Sequence, residues 1–121
     1  MRRAEIIESS KELRAKERVA MMQSGTSAVK LDVATSKGDV VFTPNAWAVV
    51  HVTPDTGDDF NQYLVMDDTG TIYQTGSESF WSAFRLIWDE MSEEPEDYQV
   101  KVFRLPSKKY EGKNFITCSI Q

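Results

Sequence analysis

Cysteine and histidine are almost absent from this sequence, which contains one of each in 121 residues. The single cysteine, Cys118, cannot form an internal disulfide, and such sparing use of cysteine is typical of a reducing compartment. One cysteine and one histidine also fall short of the usual ligand set of a zinc site. We therefore expect neither a disulfide framework nor a bound metal.

Long apolar runs are missing as well. No stretch approaches the roughly 18 consecutive apolar residues that form a membrane-spanning helix. Glu5 and Glu8 interrupt the segment that follows the initial Met-Arg-Arg, so the apolar region of a secretory signal is absent. These features predict a cytoplasmic protein that does not associate with a membrane.

What is present is the composition of an ordinary globular domain, with 40% hydrophobic and 27% charged residues. A chain of this length is expected to form one domain and to bury a core without metal or disulfide staples. The 14 basic and 19 acidic residues give a net charge of −5. The overall basic character of many nucleic-acid-binding proteins is therefore lacking.

Charge is nevertheless distributed unevenly along the chain. Residues 55–97 contain twelve acidic residues against Arg85 alone, a net charge of −11. Residues 1–37 carry a net charge of +3, and residues 98–121 carry +4. In a folded domain these segments can form opposite faces, or they can simply be solvated surface. A basic face on an acidic protein can still bind nucleic acid.

The N-terminal segment predicts a helix over residues 4–22, because it contains good helix formers and neither glycine nor proline. Its apolar positions are few, which favours a surface arm over a core element. We expect this arm, residues 1–26 with its linker, to lie outside the main domain. Its expected role is self-association into a homo-oligomer or the docking of a partner.

Residues 27–121 predict a domain of strands with one helix. Alternating apolar residues and β-prone runs indicate strands over 29–33, 40–43, 46–53, 63–66, 71–74, 98–105 and 115–120. The sequence Asp-Asp-Thr-Gly at 67–70, between two apolar runs, indicates a hairpin turn. Residues 78–92 predict an amphipathic helix, capped by Thr75 or Ser77.

This order of elements predicts a mostly β protein with α: a five-stranded antiparallel OB-like barrel with one helix between strands three and four, plus the N-terminal helix. The hairpin over 63–74 supplies strands two and three. Residues 98–105 and 115–120 supply strands four and five. The loop over 106–114 is then one of the two loops that usually grip the ligand of such a barrel.

Two runs, TIYQTGSESFWSAFRLIWDEM and YQVKVFRLPSKKYEGKNFITCSI, resemble small OB-type single-stranded DNA-binding proteins of bacteriophages and mobile elements of Gram-positive bacteria. The resemblance covers roughly residues 28–121 and is one of pattern. It implies sequence-independent binding of single-stranded DNA, or of RNA, during replication or recombination. For a phage-encoded protein it implies the host cell cytoplasm.

The loop around residues 107–113 is the best candidate site, because positive charge and an aromatic ring alternate there. Lysines contact phosphates, and an aromatic ring stacks on a base. The strand that enters the loop adds further basic and aromatic positions. The candidate nucleic-acid-binding residues are Lys101, Phe103, Arg104, Lys108, Lys109, Tyr110 and Lys113. The alternative is an exposed basic hairpin whose aromatic side chains pack inward.

Trp47 and Tyr73 are further candidates for base stacking, provided that they face outward from the barrel. Trp47 lies in a run so apolar that burial explains it equally well. The helical spacing of Phe80, Phe84 and Trp88 indicates core packing instead.

Catalytic motifs are absent from the sequence. His51 lies in an apolar strand, where a lone histidine is usually packed or hydrogen-bonded, and no serine or cysteine has the context of a nucleophile. Asp55, Asp58 and Asp59 miss the spacing of a calcium loop, and no glycine-rich phosphate-binding motif occurs. We expect no enzymatic activity and no cofactor.

Two hypotheses of different class follow, beside a third interpretation in which the chain is a phage structural or assembly protein with an OB-like barrel. The first is a single-stranded DNA-binding module. The second is an interaction protein whose acidic segment mimics nucleic acid and inhibits a host nucleic-acid enzyme through its basic cleft. Oligonucleotide binding at low salt, with release at high salt, favours the first hypothesis, and the absence of any such binding favours the second.

Overall fold

The computed structural model describes residues 3–10, 13–23, 27–94 and 96–121. Within these ranges the chain is a mixed α/β protein dominated by strands, and none of its helices is long and apolar enough to cross a membrane. The elements in chain order are β1 (Arg3–Ser9), α1 (Ala15–Met22), β2 (Val29–Lys30), α2 (Leu31–Ala34), β3 (Val40–Phe42), β4 (Pro44–Thr53), β5 (Phe60–Asp67), β6 (Ile72–Thr75), α3 (Glu78–Glu93), β7 (Val100–Pro106) and β8 (Asn114–Ile120).

The chain divides into two compact units. The first contains Met1–Lys30 and Pro44–Gly76, and the second contains Leu31–Thr43 and Ser77–Gln121. The first unit holds a five-stranded sheet and the second a three-stranded sheet. The sequence predicts a domain boundary between residues 26 and 27. Residues 24–26 lie outside the described part of the chain.

The sheet of the first unit is built around β4, whose valine-rich sequence suits a central, buried strand. Its strand order is β1-β4-β5-β6-β2. Neighbouring strands are antiparallel, apart from the parallel pairing of β2 with β6. The long run of β-prone residues in the sequence is thus confirmed as a strand with a partner on each side.

The connection between β5 and β6 confirms the turn predicted at residues 67–70. Oδ1 of Asp67 accepts hydrogen bonds from the backbone N–H groups of Thr69 and Thr71, both at 2.9 Å. Gly70 adopts a φ of +90°, a conformation that glycine reaches without steric cost. The Asp67 carboxylate therefore serves the turn itself.

One face of this sheet forms the core of the first unit. The core consists of Leu13, Met21, Ala46, Ala48, Val50, Val52, Leu64 and Met66. The four residues from β4 alternate along the strand, so each points to the same side. Helix α1 contributes Met21, which is 1% exposed.

The second unit combines an antiparallel sheet of order β3-β7-β8 with helix α3. The helix begins after Ser77, whose Oγ accepts a hydrogen bond from the N–H of Phe80 at 3.2 Å. Phe80 and Phe84 are fully buried. The helix is tied to β8 by Ser79, which donates to the carbonyl of Ile116 at 2.8 Å. The amphipathic helix predicted over 78–92 is thus confirmed.

The N-terminal segment differs from the single helix predicted over residues 4–22. Residues Arg3–Ser9 form strand β1, and the helix begins only at Ala15. β1 pairs antiparallel with β4, and its alternation packs Ala4 and Ile6 against the core. The prediction of a helix is wrong here because strand pairing and burial outweigh intrinsic helix propensity, which differs by only a few tenths of a kcal/mol per residue among ordinary residues.

A second difference concerns the strand predicted over residues 29–33. Only Val29–Lys30 is extended, and Leu31–Ala34 forms the short helix α2. The N–H and the hydroxyl of Thr35 both donate to the carbonyl of Leu31, at 3.0 and 2.6 Å. Apolar alternation is a poor guide to this segment because so short a run does not distinguish a strand from a single helical turn.

Neither sheet closes into a barrel in the described residues, so the five-stranded OB-like barrel is not confirmed. A closed barrel requires continuous pairing around one sheet, whereas the described strands form two separate sheets. β4 is bonded by β1 and β5, and β7 is bonded by β3 and β8.

Two adjacent methionines test whether α1 belongs to the core. Met21→Ala is expected to lower the free energy of unfolding by about 2–5 kcal/mol, because it leaves a cavity at a buried position. Met22→Ala removes the same atoms at a position that is 38% exposed, and we expect it to change stability by less than about 0.5 kcal/mol. Urea unfolding measures both values, and equal effects of the two substitutions would contradict this packing.

Candidate nucleic-acid interface

The β7–β8 hairpin has two different faces, because neighbouring residues of a strand point to opposite sides. In its antiparallel register Phe103 lies opposite Thr117, and Leu105 lies opposite Phe115. By alternation, these four residues share one face with Lys101. The other face includes the buried residues Val100, Val102, Ile116 and Cys118.

The face that carries Lys101 is accessible to solvent. Leu105 is 41% exposed and Phe115 is 37% exposed. Val41 on β3 lies in register with Lys101 and is also exposed. Adjacent exposed apolar and aromatic side chains are characteristic of an interaction site. We call this surface the open sheet face, which comprises Val41, Lys101, Phe103, Leu105, Phe115, Thr117 and Ser119.

Lys101 places a positive charge beside an aromatic ring of the open sheet face. Its Nζ lies 5.7 Å from the centroid of the Phe103 ring, within the range of a cation–π contact. The same Nζ lies 3.5 Å from Oδ2 of Asp39. The Phe103 side chain is half-buried. An ammonium group beside an aromatic ring is the combination that contacts the phosphate and the base of a nucleotide.

The loop between β7 and β8 is a hydrogen-bonded turn. The N–H of Ser107 donates to the carbonyl of Lys113 at 2.8 Å, and the N–H of Lys113 donates to the carbonyl of Tyr110 at 3.2 Å. The Ser107 hydroxyl accepts from the N–H groups of Lys109 and Tyr110, at 3.3 and 3.2 Å. The side chains of this loop therefore project from a defined backbone.

Most of those side chains are exposed, and three of them are lysines. Tyr110 is 59% exposed, and the Nζ of Lys109 lies 5.4 Å from the centroid of its ring. Lys108 and Lys113 are exposed as well. The interpretation in which the loop aromatic packs inward does not hold for Tyr110. Ring and charge lie side by side here, as they do on the open sheet face.

Arg104, a predicted binding residue, has a different environment. By alternation it points to the side of the hairpin opposite Phe103. Its Nε donates to the hydroxyl of Thr35 at 3.0 Å, and its guanidinium donates to the carbonyl of Asp32. Arg104 therefore holds helix α2 and the turn that follows it against β7, and it lies outside the open sheet face.

Trp47 and Tyr73 belong to the first unit, whereas the other seven predicted residues belong to the second. Trp47 is 3% exposed, so of the two interpretations left open by the sequence the structure shows burial. The Tyr73 hydroxyl donates to Oδ2 of Asp67 at 3.0 Å. Partial burial, together with this hydrogen bond, raises the pKa of Tyr73 to about 12. Its hydroxyl is engaged in the β5–β6 turn.

Five residues of the open sheet face were not among the predicted site residues: Val41, Leu105, Phe115, Thr117 and Ser119. The position of Phe115 can be predicted from the sequence if the loop is assumed to have seven residues. Phe115 then lies opposite Leu105 and on the same side of the hairpin as Phe103. The position of Val41 cannot be predicted in this way, because Val41 lies beside Lys101 only through the pairing of β3 with β7.

His51 forms a separate polar cluster in the first unit. Its Nδ1 lies 2.8 Å from Oδ1 of Asn61, and its Nε2 lies 3.2 Å from Oδ2 of Asp59. Glu5 lies opposite His51 on the neighbouring strand. The hydrogen bond to Asn61, followed by the one to Asp59, raises the pKa of His51 above 6.5. Oxygen acceptors at both ring nitrogens favour the doubly protonated imidazolium.

The lone cysteine is a core residue of the second unit. The Sγ of Cys118 lies 4.0 Å from the carbonyl oxygen of Phe80. Burial raises the pKa of the Cys118 thiol to about 12, so the thiol stays protonated at neutral pH. This is the environment of a structural cysteine rather than of a reactive one.

Comparison of the chain with protein-family models, curated proteins and solved structures gave no significant match. The resemblance to OB-type single-stranded DNA-binding proteins therefore remains a prediction from the sequence.

The hydrogen bonds of His51 predict a pH dependence of stability. A proton bound more tightly in the folded state stabilises that state, so the contribution is complete below pH 6.5 and is lost as the pH rises through the raised folded-state pKa. We expect the urea midpoint of the wild type to fall over this interval, and the fall to be smaller in His51→Gln. An NMR titration of the single histidine gives its pKa directly, and a value at or below 6.5 would disprove the arrangement.

Proposed function

We propose that this protein binds single-stranded DNA, without sequence preference, through the open sheet face and the adjoining loop over 107–113. The observation that carries the proposal is the alternation of aromatic rings and ammonium groups on this surface, where Tyr110 and Phe115 are exposed and Phe103 is half-buried. Phe103, Phe115 and Tyr110 supply the rings, and Lys101, Lys108, Lys109 and Lys113 supply the charges. The proposed role is in replication or recombination of a phage or mobile element, as the resemblance implies.

A single strand suits this surface better than a duplex does. Unpaired bases offer their ring faces to aromatic side chains, and every base has such a face, so stacking tolerates any sequence. Lysine ammonium groups contact the backbone phosphates as point charges and add no sequence preference. The described surface supplies both contacts within one hairpin and its neighbouring strand.

The acidic net charge of the chain does not oppose this proposal. At physiological ionic strength the interaction between exposed charges fades over about 8 Å. A phosphate close to the loop is therefore governed mainly by the nearest charges. Three lysines and one glutamate, Glu111, occur within residues 107–113, so the local charge is positive.

The order of elements supports a relation to OB-type proteins. Strands β4, β5 and β6, helix α3, and strands β7 and β8 follow one another as in the predicted arrangement. Strand β1 is an addition to that arrangement, and it pairs with β4. We propose that the chain is an opened variant of this arrangement that retains a ligand-contacting hairpin between its last two strands.

The nucleic-acid-mimic hypothesis has one observation in its favour, the acidic surface of α3. Asp89, Glu90, Glu93 and Glu94 are all exposed there, and Arg85 is the basic residue of the helix. Nη2 of Arg85 lies 3.8 Å from Oδ1 of Asp89, so part of this charge is already compensated. We place this function second. Loss of a biological activity on charge reversal of the four acids, with oligonucleotide binding absent throughout, would promote it.

A pair of lysine variants tests the electrostatic part of the proposal. Lys108→Ala with Lys109→Ala should weaken binding of a fluorescent oligothymidine and reduce the salt slope by about 0.7 for each lost phosphate contact. The matched control is Lys16→Ala with Lys30→Ala, which changes the charge equally at exposed lysines of the first unit. Identical slopes for both pairs would locate the binding surface elsewhere.

Replacement of aromatic residues by leucine tests the stacking part. Phe115→Leu and Tyr110→Leu keep an apolar side chain but remove the ring, and each is expected to cost about 1–3 kcal/mol of binding free energy with little change in salt slope. Phe60→Leu is the control, because Phe60 is 43% exposed on β5 of the first unit. Fluorescence anisotropy measures the three affinities, and unchanged binding in the first two variants would contradict the proposed surface.

A further inference from the structure

The open sheet face contains one ion pair within the proposed binding surface. Oδ2 of Asp39 lies 3.5 Å from Nζ of Lys101, and this Nζ lies 5.7 Å from the Phe103 ring centroid. Asp39 precedes β3, and Lys101 lies on β7. Both side chains are partly exposed to solvent, at 55% and 41%.

We infer that Lys101 and Phe103 form a single-nucleotide subsite, in which the Asp39 carboxylate occupies the position that a phosphate takes when the strand binds. This inference rests on the proposed function and deepens it, because it names the part of the nucleotide that each side chain contacts. The base stacks on Phe103, the phosphate pairs with Lys101, and Asp39 is displaced.

The chemistry of the two anions supports the exchange. A carboxylate and a backbone phosphate each offer negatively charged oxygens to a lysine, and each makes a charge-assisted hydrogen bond with it. Phe103 is the aromatic residue beside Lys101 on this face. A phosphate at the position of Asp39 therefore belongs to a nucleotide whose base can reach that ring.

The ion pair is weak enough to be exchanged. An exposed pair of this kind contributes little, because solvent and salt screen it. The Asp39 side chain is 55% exposed, so water can solvate its carboxylate when the carboxylate leaves Lys101.

The Asp39 carboxylate therefore competes with the phosphate for Lys101. This competition lowers both the affinity for the oligonucleotide and the salt dependence of binding. In the wild type the phosphate replaces an anion already held by Lys101, and the released carboxylate attracts a counterion of its own. Without that carboxylate, the contact between Lys101 and the phosphate should appear in full in the salt slope. Removal of the Asp39 charge should therefore strengthen binding.

The experiment compares Asp39→Asn with Asp97→Asn in titrations of an oligothymidine at several salt concentrations. Asp97 is an exposed aspartate of the same unit, so both variants change the net charge equally. Asp39→Asn is expected to bind about two- to fivefold more tightly than Asp97→Asn at low salt, with a salt slope steeper by about 0.7. When Lys101→Ala is added to both aspartate variants, their differences in affinity and in salt slope should disappear.

The possible results distinguish failure of the subsite from failure of the proposed function. If the wild type binds the oligonucleotide and the two aspartate variants are alike in affinity and slope, the subsite is overturned while the proposed function stands. If the gain of Asp39→Asn persists without Lys101, the carboxylate acts through general charge and the subsite is again overturned. If neither the wild type nor Asp39→Asn binds at low salt, the proposed function and the subsite fail together.

Discussion

The backbone ladder between β7 and β8 determines which side chains of the hairpin can reach a ligand. Once Phe103 pairs with Thr117, alternation directs Lys101, Leu105 and Phe115 to the same side. A shift of one residue in this register would reverse every side chain and bury the charges. Burial of the opposite side in the core, which includes Val102, fixes the register and thereby creates the open sheet face.

Occupancy of strand edges has an equally strong effect on the architecture. A strand bonds at two edges only, and the short strand β3 takes the second edge of β7. β1 does the same for β4. In the described residues the strands form two separate sheets and not the expected closed barrel. The pairing of β3 also sets Val41 beside Lys101 and completes the open face.

The open sheet face depends on where its side chains are placed more than on any unusual chemistry of those side chains. Its ammonium groups and rings are ordinary surface groups, whereas the hydrogen-bonded residues His51 and Tyr73, whose pKa values are raised, lie in the first unit. Arg104 shows how alternation separates neighbours. It follows Phe103 in the sequence, yet it braces α2 instead of lining the face.

The sequence determined the local features of this protein. Helix α3 with its Ser77 cap, the β5–β6 turn and the β7–β8 hairpin all depend on residues close together in the chain, so periodicity and turn chemistry were sufficient to predict them. Only the tertiary structure decided that residues 3–9 form a strand, that Trp47 is buried and that β3 pairs with β7. These outcomes depend on pairing and packing between segments far apart in sequence, and a local propensity of a few tenths of a kcal/mol per residue cannot specify such contacts.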